Sequence, residues 1–194
     1  MHPGSPVARA HEAVSEVLRP GDVALDATAG NGHDTLFLAR SVGPEGTVHA
    51  LDVQAAAITA TRKRLEAAGV ANRVRLHQLG HQALPDPIPA AERGRLRAVM
   101  FNLGYLPAGD KSVITREATT LTALAAAGEL LVPGGRLTVV AYPGHPGGSG
   151  ETEAVVGWVR ESLPQALRCR EMDPPEATGR SPRLTVLERI PASA

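Results

Sequence analysis

Short apolar runs alternate along this chain with longer stretches in which apolar residues recur every three or four positions. The apolar runs are rich in Val, Leu and Ala and are bounded by Gly and Pro, which is typical of buried strands. The stretches between them have helical spacing, and the clearest example has Ile58, Thr61 and Leu65 on one face. Strands that take turns with helices in this way predict an α/β protein.

The pattern places seven strands and five helices in a single domain that spans residues 1–194. We predict strands over residues 23–27, 47–52, 74–78, 98–103, 136–142, 168–173 and 183–189. We predict helices over residues 7–18, 34–42, 54–68, 116–131 and 151–166. Because most of the strands are apolar along their whole length, they are typical of a parallel sheet that is covered on both faces. The prediction is therefore a doubly wound, mostly parallel, seven-stranded sheet with helices on both faces.

The composition disfavours one class of function. The 194 residues are 43% hydrophobic and 21% charged, and the 20 basic side chains are balanced by 20 acidic ones. A formal net charge of zero argues against a large nonspecific surface for nucleic acid. Five arginines nevertheless gather near the C-terminus: Arg168, Arg170, Arg180, Arg183 and Arg189. They form either a local basic patch or ordinary solvated positions on edge strands.

Cysteine usage and the N-terminal residues indicate a cellular location. The single Cys169 excludes an internal disulfide and leaves no cysteine cluster for a structural zinc ion. No apolar run approaches the ~20 residues of a membrane-spanning helix. The segment MHPGSPVARAHEAV lacks the basic-then-apolar layout of a secretion signal. We therefore expect a cytoplasmic protein that binds no membrane.

The first predicted strand runs into a glycine loop, DATAGNGHDT, at residues 26–35. Ligands of open α/β sheets bind at the carboxyl ends of the strands. Gly30 and Gly32 permit a tight turn and close approach of a ligand, and the next helix offers its N-terminal amides. Asp52 ends the second strand, where a carboxylate can accept hydrogen bonds from both hydroxyls of a ribose. Together, the loop and Asp52 predict a nucleoside cofactor.

The details of the loop favour S-adenosylmethionine over NAD. A dinucleotide fingerprint needs a third glycine where this chain has Thr35, and Asp34 would put negative charge beside a pyrophosphate. The loop instead matches D-x-x-x-G-x-G, by which class I methyltransferases hold S-adenosylmethionine. We therefore predict a Rossmann-like class I methyltransferase fold. The predicted cofactor contacts are Asp26, Thr28, Gly30, Asn31, Gly32, Asp34, Thr35, Asp52, Gln54, Gln78, His81, Asn102 and Leu103.

Gln78 and His81 are alternatives for one role among these contacts. Many class I methyltransferases carry an acidic residue after the third strand, where it accepts a hydrogen bond from the adenine amino group. This chain has HQLGHQAL there, so Gln78 or His81 would have to replace that residue.

The segment FNLGYLP, residues 101–107, follows the fourth predicted strand. Amino-directed methyltransferases commonly place N-P-P-Y or a relative of it here: the Asn oxygen accepts a hydrogen bond from the target nitrogen, and the ring stacks on the substrate. Asn102 and Tyr105 keep that spacing, although an Asn turn and a packed Tyr would also account for it. The chain's other tyrosine, Tyr142, likewise follows a strand end. Because stacking on an aromatic ring contributes ~1–3 kcal/mol per base, we predict that both tyrosines bind substrate.

An amine acceptor raises the question of where its proton goes. An alkylamine has a pKa near ~10, so its neutral form costs about 4 kcal/mol near pH 7. A carboxylate would stabilise the ammonium, which argues against Asp110 as the closest group. A neutral imidazole is a better-matched acceptor, and His145 in PGHPGG is our candidate, the alternative being a loop histidine that touches RNA phosphate. Asp110 and Lys111 are predicted substrate contacts in a loop beside the site.

Five segments, taken in order, resemble a known family. They are DATAGNGHDTLFLA (26–39), ALDVQ (50–54), His81, FNLGYLPAGDK (101–111) and VVAYPGHPGG (139–148). The chain resembles the small bacterial methyltransferases first labelled rRNA methylases, which include the tRNA 5-aminomethyl-2-thiouridine methyltransferase. The resemblance implies methyl transfer from S-adenosylmethionine to the aminomethyl nitrogen of a modified wobble uridine, with the anticodon arm of tRNA as partner.

Several alternatives stay open at this point. The acceptor could be an rRNA base or a protein side chain, the enzyme could be an NAD-dependent oxidoreductase, or the protein could bind S-adenosylmethionine or RNA without chemistry. The missing third glycine counts against the oxidoreductase, and the Asn102–Tyr105 pair counts against the noncatalytic module. The sequence does not indicate the oligomeric state; a homodimer would give one small domain more surface for a tRNA arm.

Overall fold

Seven strands form one sheet in the computed structural model, which describes residues 4–104, 106, 115–174 and 181–191. The strands are β1 (Val23–Asp26), β2 (Thr47–Leu51), β3 (Val74–His77), β4 (Leu96–Leu103), β5 (Leu131–Ala141), β6 (Leu167–Met172) and β7 (Arg183–Arg189). Their order is β3-β2-β1-β4-β5-β7-β6. Only β7 runs antiparallel to its neighbours, β5 and β6. The predicted mostly parallel, seven-stranded sheet is confirmed.

Helices cover both faces of this sheet, as predicted. Those within the described residues are α1 (Pro6–Ser15), α2 (His33–Ser41), α3 (Ala55–Ala67), α4 (Glu117–Leu130) and α5 (Gly148–Glu161), with short 3-10 turns at Ala71–Arg73 and His81–Ala83. One apolar core joins the sheet to α4 and α5 through residues such as Leu124 and Val155. The other joins it to α1, α2 and α3 through Val14, Leu38 and Leu65. In the described part of the chain, no helix has the length and apolar character needed to cross a bilayer.

Local contacts stabilise the first turn of helix α1, and the helix packs against strands that lie much later in the sequence. The Ser5 hydroxyl accepts a hydrogen bond from the Ala8 N–H at 3.2 Å, and Pro6 occupies a first-turn position that needs no N–H donor. The helix ends at Ser15, earlier than predicted. It lies against β5 and β7. The buried Arg136 of β5 donates to the Ala13 carbonyl at 2.6 Å, which fixes the end of α1 to the sheet.

Strand β5 begins five residues before the predicted start at 136. Leu131 pairs with Leu96, and the register then shifts around the VPGG segment, which follows the predicted helix over residues 116–131. A Cβ on Gly135 would lie 2.9 Å from the Val132 carbonyl oxygen and 3.1 Å from that of Leu96. Glycine therefore allows the backbone of this bulge to lie against its neighbours.

Three of the C-terminal arginines make hydrogen bonds within the protein. Arg168 and Arg170 both donate to the carboxylate of Glu188, and Arg189 donates to the Gly128 carbonyl at 2.7 Å. Because these guanidinium groups already have partners within the protein, the contacts argue against a free basic patch; Arg168 and Arg170 lie on the edge strand β6. Arg180 lies outside the described residues.

Candidate active site

A cavity of about 1040 Å³ opens at the carboxyl edge of the sheet. Its wall includes residues 27–31 after β1, 52–54 after β2 and 79–82 after β3. Residues at the ends of β4 and β5 also contribute to it, as do others from the N-terminal segment and the start of α2. The sheet order changes direction between β1 and β4, and such a switch point is where open α/β sheets bind ligands. The volume lies at the upper end of small-molecule sites, so a nucleoside cofactor leaves room for a second group.

Two glycines shape the loop after β1. Gly30 and Gly32 have φ angles of 52° and 77°, in the left-handed region. A Cβ on Gly32 would lie 2.9 Å from the Thr61 Cα, so no larger side chain fits there. The Gly32 N–H donates to the Ala29 carbonyl at 2.7 Å, and α2 begins at the next residue. Gly30 lines the cavity, whereas Gly32 does not and instead lets the chain turn into α2.

Asp26 and Thr35 support this loop from behind. Asp26 is 1% exposed; its Oδ1 accepts from the Thr28 N–H at 3.1 Å, and its Oδ2 accepts from the Thr35 hydroxyl at 2.6 Å. Burial, together with the nearby charge of Asp34, raises the pKa of Asp26. Neither Asp26 nor Thr35 lines the cavity. They were predicted to contact the cofactor; the structure places them behind the loop and outside the cavity wall, and their contact with the cofactor stays a prediction.

Asp52 joins the ends of β1 and β2. Its Oδ2 accepts from the Gly30 N–H at 2.9 Å, and its Oδ1 accepts from the Gln54 N–H at 2.9 Å. Each oxygen keeps a further lone pair, so the carboxylate can still accept from both hydroxyls of a ribose. Thr28, Asn31 and Gln54 line the same cavity.

Two exposed apolar side chains, Val53 and Leu79, lie in the wall of the cavity. Val53 is 48% exposed and Leu79 is 44% exposed, and within the described ranges they are the exposed large hydrophobic side chains. Both line the cavity. Apolar surface left uncovered beside the Asp52 carboxylate, which can accept from a ribose, suits a planar base.

His81, in the turn after β3, is a polar residue that lines the cavity beside Gln82. It is 6% exposed, its ring packs edge-on against Phe101, and its Nε2 has no hydrogen-bond partner among the described residues. Burial lowers the pKa of His81 to about 4, so the ring is neutral near pH 7. Gln78, the alternative predicted for this role, does not line the cavity. The geometry therefore favours His81.

Asn102 is held in one orientation at the end of β4. Its backbone N–H donates to the Thr28 hydroxyl at 2.7 Å, and its Nδ2 donates to Asp34 Oδ2 at 2.6 Å. An ionised carboxylate only accepts hydrogen bonds, so the nitrogen of the carboxamide must face Asp34. The Asn102 Oδ1 is buried and has no partner within the described part of the chain. This oxygen is a hydrogen-bond acceptor that the protein leaves available.

Asp34 has a second partner, His11, which the sequence analysis does not single out. His11 Nε2 lies 2.7 Å from Asp34 Oδ1. Its ring stacks on Phe37 with centroids 3.9 Å apart and planes 8° from parallel. The available signal was that His11 falls four residues after Val7 and three before Val14, on the apolar face of the predicted helix. A polar residue on a buried face needs a partner.

Tyr142 and His145 approach the end of β4 from the end of β5. Both line the cavity, as does Gly104. A Cβ on Gly104 would lie 3.8 Å from His145 Nε2 and 3.9 Å from Tyr142 Cδ2. Burial, with the charge of Asp34, raises the pKa of the Tyr142 hydroxyl, which therefore stays protonated at neutral pH. The two predicted side chains lie close to the segment that carries Asn102.

The tautomer of His145 follows from its loop. Its Nδ1 lies 3.0 Å from the Pro146 carbonyl oxygen, and because a carbonyl only accepts, Nδ1 carries the hydrogen. In the neutral ring, the lone pair is then on Nε2. A Cβ on Gly148 would lie 2.7 Å from that nitrogen, so glycine makes room for the ring. A proton acceptor needs this tautomer, and the role stays a prediction.

Three predicted substrate residues, Tyr105, Asp110 and Lys111, lie outside the described residues, so their roles stay predictions. Leu103 and Leu106 line the cavity on either side of Tyr105 in the sequence.

A buried carboxylate that the sequence did not reveal lies beside this region. Glu151, in the first turn of α5, is 3% exposed and accepts from the hydroxyls of Thr115 at 2.6 Å and Thr120 at 2.5 Å. Thr115 lines the cavity, and its N–H donates to the Gly104 carbonyl at 3.1 Å. Glu151 thereby ties the starts of α4 and α5 to the end of β4. In the sequence it looks like an ordinary acidic residue near a helix N-terminus.

The chain has relatives among curated proteins. It is 46% identical over 154 residues to the "tRNA (mnm(5)s(2)U34)-methyltransferase, chloroplastic" of Arabidopsis thaliana, an alignment that covers 75% of this chain and 56% of the plant protein. The chain spans about half the length of the curated relatives it matches.

Crystal structures of bacterial proteins match almost the whole chain. A Clostridium thermocellum protein described as a "putative rRNA-methylase" has a TM-score of 0.89 and 38% identity, over 98% of this chain and 100% of that one. A Streptococcus mutans "putative methyltransferase" in complex with S-adenosylhomocysteine has a TM-score of 0.82 and 36% identity, over 97% and 100%. The predicted class I methyltransferase fold is confirmed. The predicted cofactor is confirmed for the Streptococcus mutans relative, since S-adenosylhomocysteine is S-adenosylmethionine without its methyl group.

The sequence resemblance is confirmed in the same way. The model of the family described as "Putative rRNA methylase" matches residues 48–188, which include Asp52, His81, Asn102 and His145. The chain belongs to this family of S-adenosylmethionine-dependent methyltransferases.

Proposed function

We propose that this protein transfers a methyl group from S-adenosylmethionine to the aminomethyl nitrogen of a modified wobble uridine in tRNA. The observation that carries the proposal is the Asn102 carboxamide, whose nitrogen is bound by Asp34 and whose buried oxygen is left to accept a hydrogen bond. The name of the plant relative, a tRNA methyltransferase acting on a modified uridine, supports this choice of acceptor.

The described residues fit the cofactor. The backbone of the Gly30 loop and the Asp52 carboxylate would hold its amino-acid and ribose parts, and Val53, Leu79 and His81 would enclose its base. When bound, S-adenosylmethionine supplies an electrophilic methyl group. The protein contributes by holding the two reactants in alignment, which can lower the barrier by about 7–11 kcal/mol.

The unpartnered oxygen of Asn102 selects the kind of acceptor. A group that binds it must carry a hydrogen, as an amine does, and a ring nitrogen with only a lone pair offers none. One N–H bonded to the carboxamide fixes the orientation of the nitrogen, so its lone pair has a defined direction. Tyr142, at the same edge of the cavity, offers a ring on which the uracil base can stack.

His145 would remove the proton that the ammonium form carries. In the neutral ring its lone pair would be on Nε2, on the side facing Gly104 and Gly148. We expect His145→Ala to lower turnover far more than affinity for S-adenosylmethionine, because the ring acts on the acceptor and not on the donor. Isothermal titration and steady-state rates would measure the two effects. Equal losses in both, or no loss in either, would contradict the assignment.

An exocyclic amino group of an rRNA base would satisfy the same carboxamide, and the family description favours it as the second candidate. The two candidates differ in which RNA gains the methyl group. Protein side-chain amines are a third acceptor of the same chemical kind. An assay of this proposal therefore has to compare RNA and protein fractions directly.

The test uses purified protein, isotopically labelled S-adenosylmethionine and tRNA from cells that lack this protein. The matched control is the same tRNA sequence made as an unmodified transcript, with rRNA and total protein from the same cells assayed in parallel. We expect mass spectrometry of the nucleosides to find one added methyl group on the aminomethyl uridine of the cellular tRNA alone. Label in rRNA or protein, or equal label in the unmodified transcript, would refute the proposal.

Two properties complete the proposal. We expect the protein to act in the cytoplasm, where tRNA is modified, and to form a homodimer that gives a tRNA arm more surface. Light scattering during size-exclusion chromatography would show a monomer if the second expectation is wrong.

A further inference from the structure

We infer that His11 is a positioning residue for methyl transfer: it acts through Asp34 to keep the Asn102 carboxamide oxygen turned toward the acceptor nitrogen. The inference rests on the proposed function, because it assumes that the acceptor is an amine. His11 itself does not line the cavity, whereas Asp34 and Asn102 do.

The three side chains form one continuous set of hydrogen bonds. His11 Nε2 lies 2.7 Å from Asp34 Oδ1, and Asn102 Nδ2 lies 2.6 Å from Asp34 Oδ2. Each oxygen of the carboxylate therefore has its own partner. Asp34 is 6% exposed, so water has little access to take the place of either partner.

The first consequence concerns the orientation of the carboxamide. The two ends of an asparagine side chain have nearly the same shape, so only hydrogen bonding decides which end faces the cavity. Asp34 decides this by accepting from Nδ2. If the carboxylate rotated away, the amide could turn its nitrogen to the cavity and present a donor where the amine needs an acceptor.

The second consequence concerns charge. A carboxylate oxygen beside an amine favours the ammonium form, which has no lone pair to receive the methyl group. Asp34 lines the cavity, so an oxygen released by His11 would be near the acceptor. By binding Oδ1, His11 keeps this charge directed away while the neutral Asn102 meets the amine.

The position of His11 is set by packing on both sides. Its ring stacks on Phe37 of α2 at 3.9 Å. Its own helix, α1, is fixed to β5 and β7, where Arg136 donates to the Ala13 carbonyl. The imidazole therefore cannot turn away from Asp34 without disturbing the packing of α1.

Three substitutions separate the hydrogen bond from the packing. His11→Leu keeps bulk and removes the donor, His11→Asn keeps polarity but is too short to reach Asp34, and His11→Gln places an N–H near the position of Nε2. We expect the Leu and Asn variants to lose about ten- to hundredfold in kcat, the range for a hydrogen bond to a charged group. KM for tRNA and affinity for S-adenosylmethionine should change less than about twofold, and the Gln variant should recover most of the rate.

A second readout needs neither substrate nor turnover. The chain has three asparagines and four glutamines, so few side-chain amide pairs appear in a nitrogen–proton correlation spectrum. The Asn102 pair is assigned as the one lost in Asn102→Ala. We expect His11→Leu and His11→Asn to shift this pair and His11→Gln to leave it near its original position, with thermal melting of each variant checking that it is folded.

These outcomes separate the inference from the proposed function. Loss of activity in Asn102→Ala together with full activity in His11→Leu would overturn the inference and leave the proposed function standing. An unchanged Asn102 pair in folded His11→Leu, or equal rates for the Leu and Gln variants, would also overturn it. If Asn102→Ala kept near-normal turnover, the proposed function would fail instead.

Discussion

The two sides of the cavity are built in different ways. On the cofactor side, residues 26–35 and 52–54 come from one strand–helix–strand unit, and most of the bonds that shape this side involve backbone amides. On the acceptor side, Asn102, His11 and His145 come from three other segments, and His11 and Asn102 both bond to the Asp34 side chain at the start of α2. The first side is a property of local backbone geometry. The second exists only when distant parts of the chain have packed together.

The largest expected effect comes from a substitution that disrupts only the acceptor side. Asn102→Ala removes the oxygen that receives the amine N–H, and we expect turnover to fall by roughly a hundredfold or more, as when a transition-state hydrogen bond is lost. Binding of S-adenosylmethionine, measured by titration calorimetry, should stay close to that of the original protein. Asn72→Ala, at an exposed position, is the matched control and should leave both unchanged.

The next largest effect comes from a substitution that disrupts only the cofactor side. Asp52→Asn weakens a hydrogen-bond acceptor at the end of β2, and we expect affinity for S-adenosylmethionine to fall about tenfold or more. At saturating cofactor, kcat should change little, because Asp52 does not touch the acceptor. Asp86→Asn, on the exposed surface, serves as the control. A fall in kcat with normal affinity would show that the two sides are not separable in this way.

His81 allows a test that depends on pH. Its pKa is about 4 in the folded protein and 6.5 in the unfolded chain, so unfolding takes up a proton between these values. Stability from this residue is therefore lost as pH falls from 6.5 toward 4, by about 2 kcal/mol between pH 7 and pH 5. We expect His81→Gln to lose that much less stability over the same range in urea unfolding. Parallel pH curves for the two proteins would contradict this.

The smallest effects sharpen the description of the cofactor loop. Gly32→Ala would strain a left-handed backbone and press against Thr61, and we expect it to cost about 1–3 kcal/mol of unfolding free energy. Gly157→Ala is the matched control: it lies in α5 with nothing near its added Cβ, and should stabilise the protein by about 0.5–1 kcal/mol. Urea denaturation measures both. Changes of the same sign would show that the loop is not constrained as described.

Most of the cofactor side could be predicted from the sequence because its geometry is local. A strand, a glycine turn and a helix fix where Gly30 and Gly32 lie, and the next strand of a parallel unit must bring Asp52 beside them. The sequence did not show which residues of the motif line the cavity and which support the loop from behind. Asp26 and Thr35 belong to the same motif, yet their side chains point behind the loop.

The sequence pointed to individual side chains of the acceptor side but not to the hydrogen bonds between them. Asn102 and His145 stand out by type and by position at strand ends. Their partners do not, because a hydrogen bond between α1 and α2 depends on how α1 crosses the sheet, and no sequence spacing encodes that packing. For this reason the bonds of Asp34 to His11 and Asn102 were not predicted, and His11 and Glu151 were not singled out.

The attachment of α1 to strands from the opposite end of the chain has a consequence for synthesis on the ribosome. Strands β1, β2 and β3, with the whole cofactor loop, emerge long before β5 and β7 exist. Until then the strands that α1 packs against are missing, so His11 is not held beside Asp34. We expect a nascent chain to be able to fold its donor pocket first and to become chemically competent only when the last strand is inserted, a step that protease protection of α1 on stalled ribosomes would report.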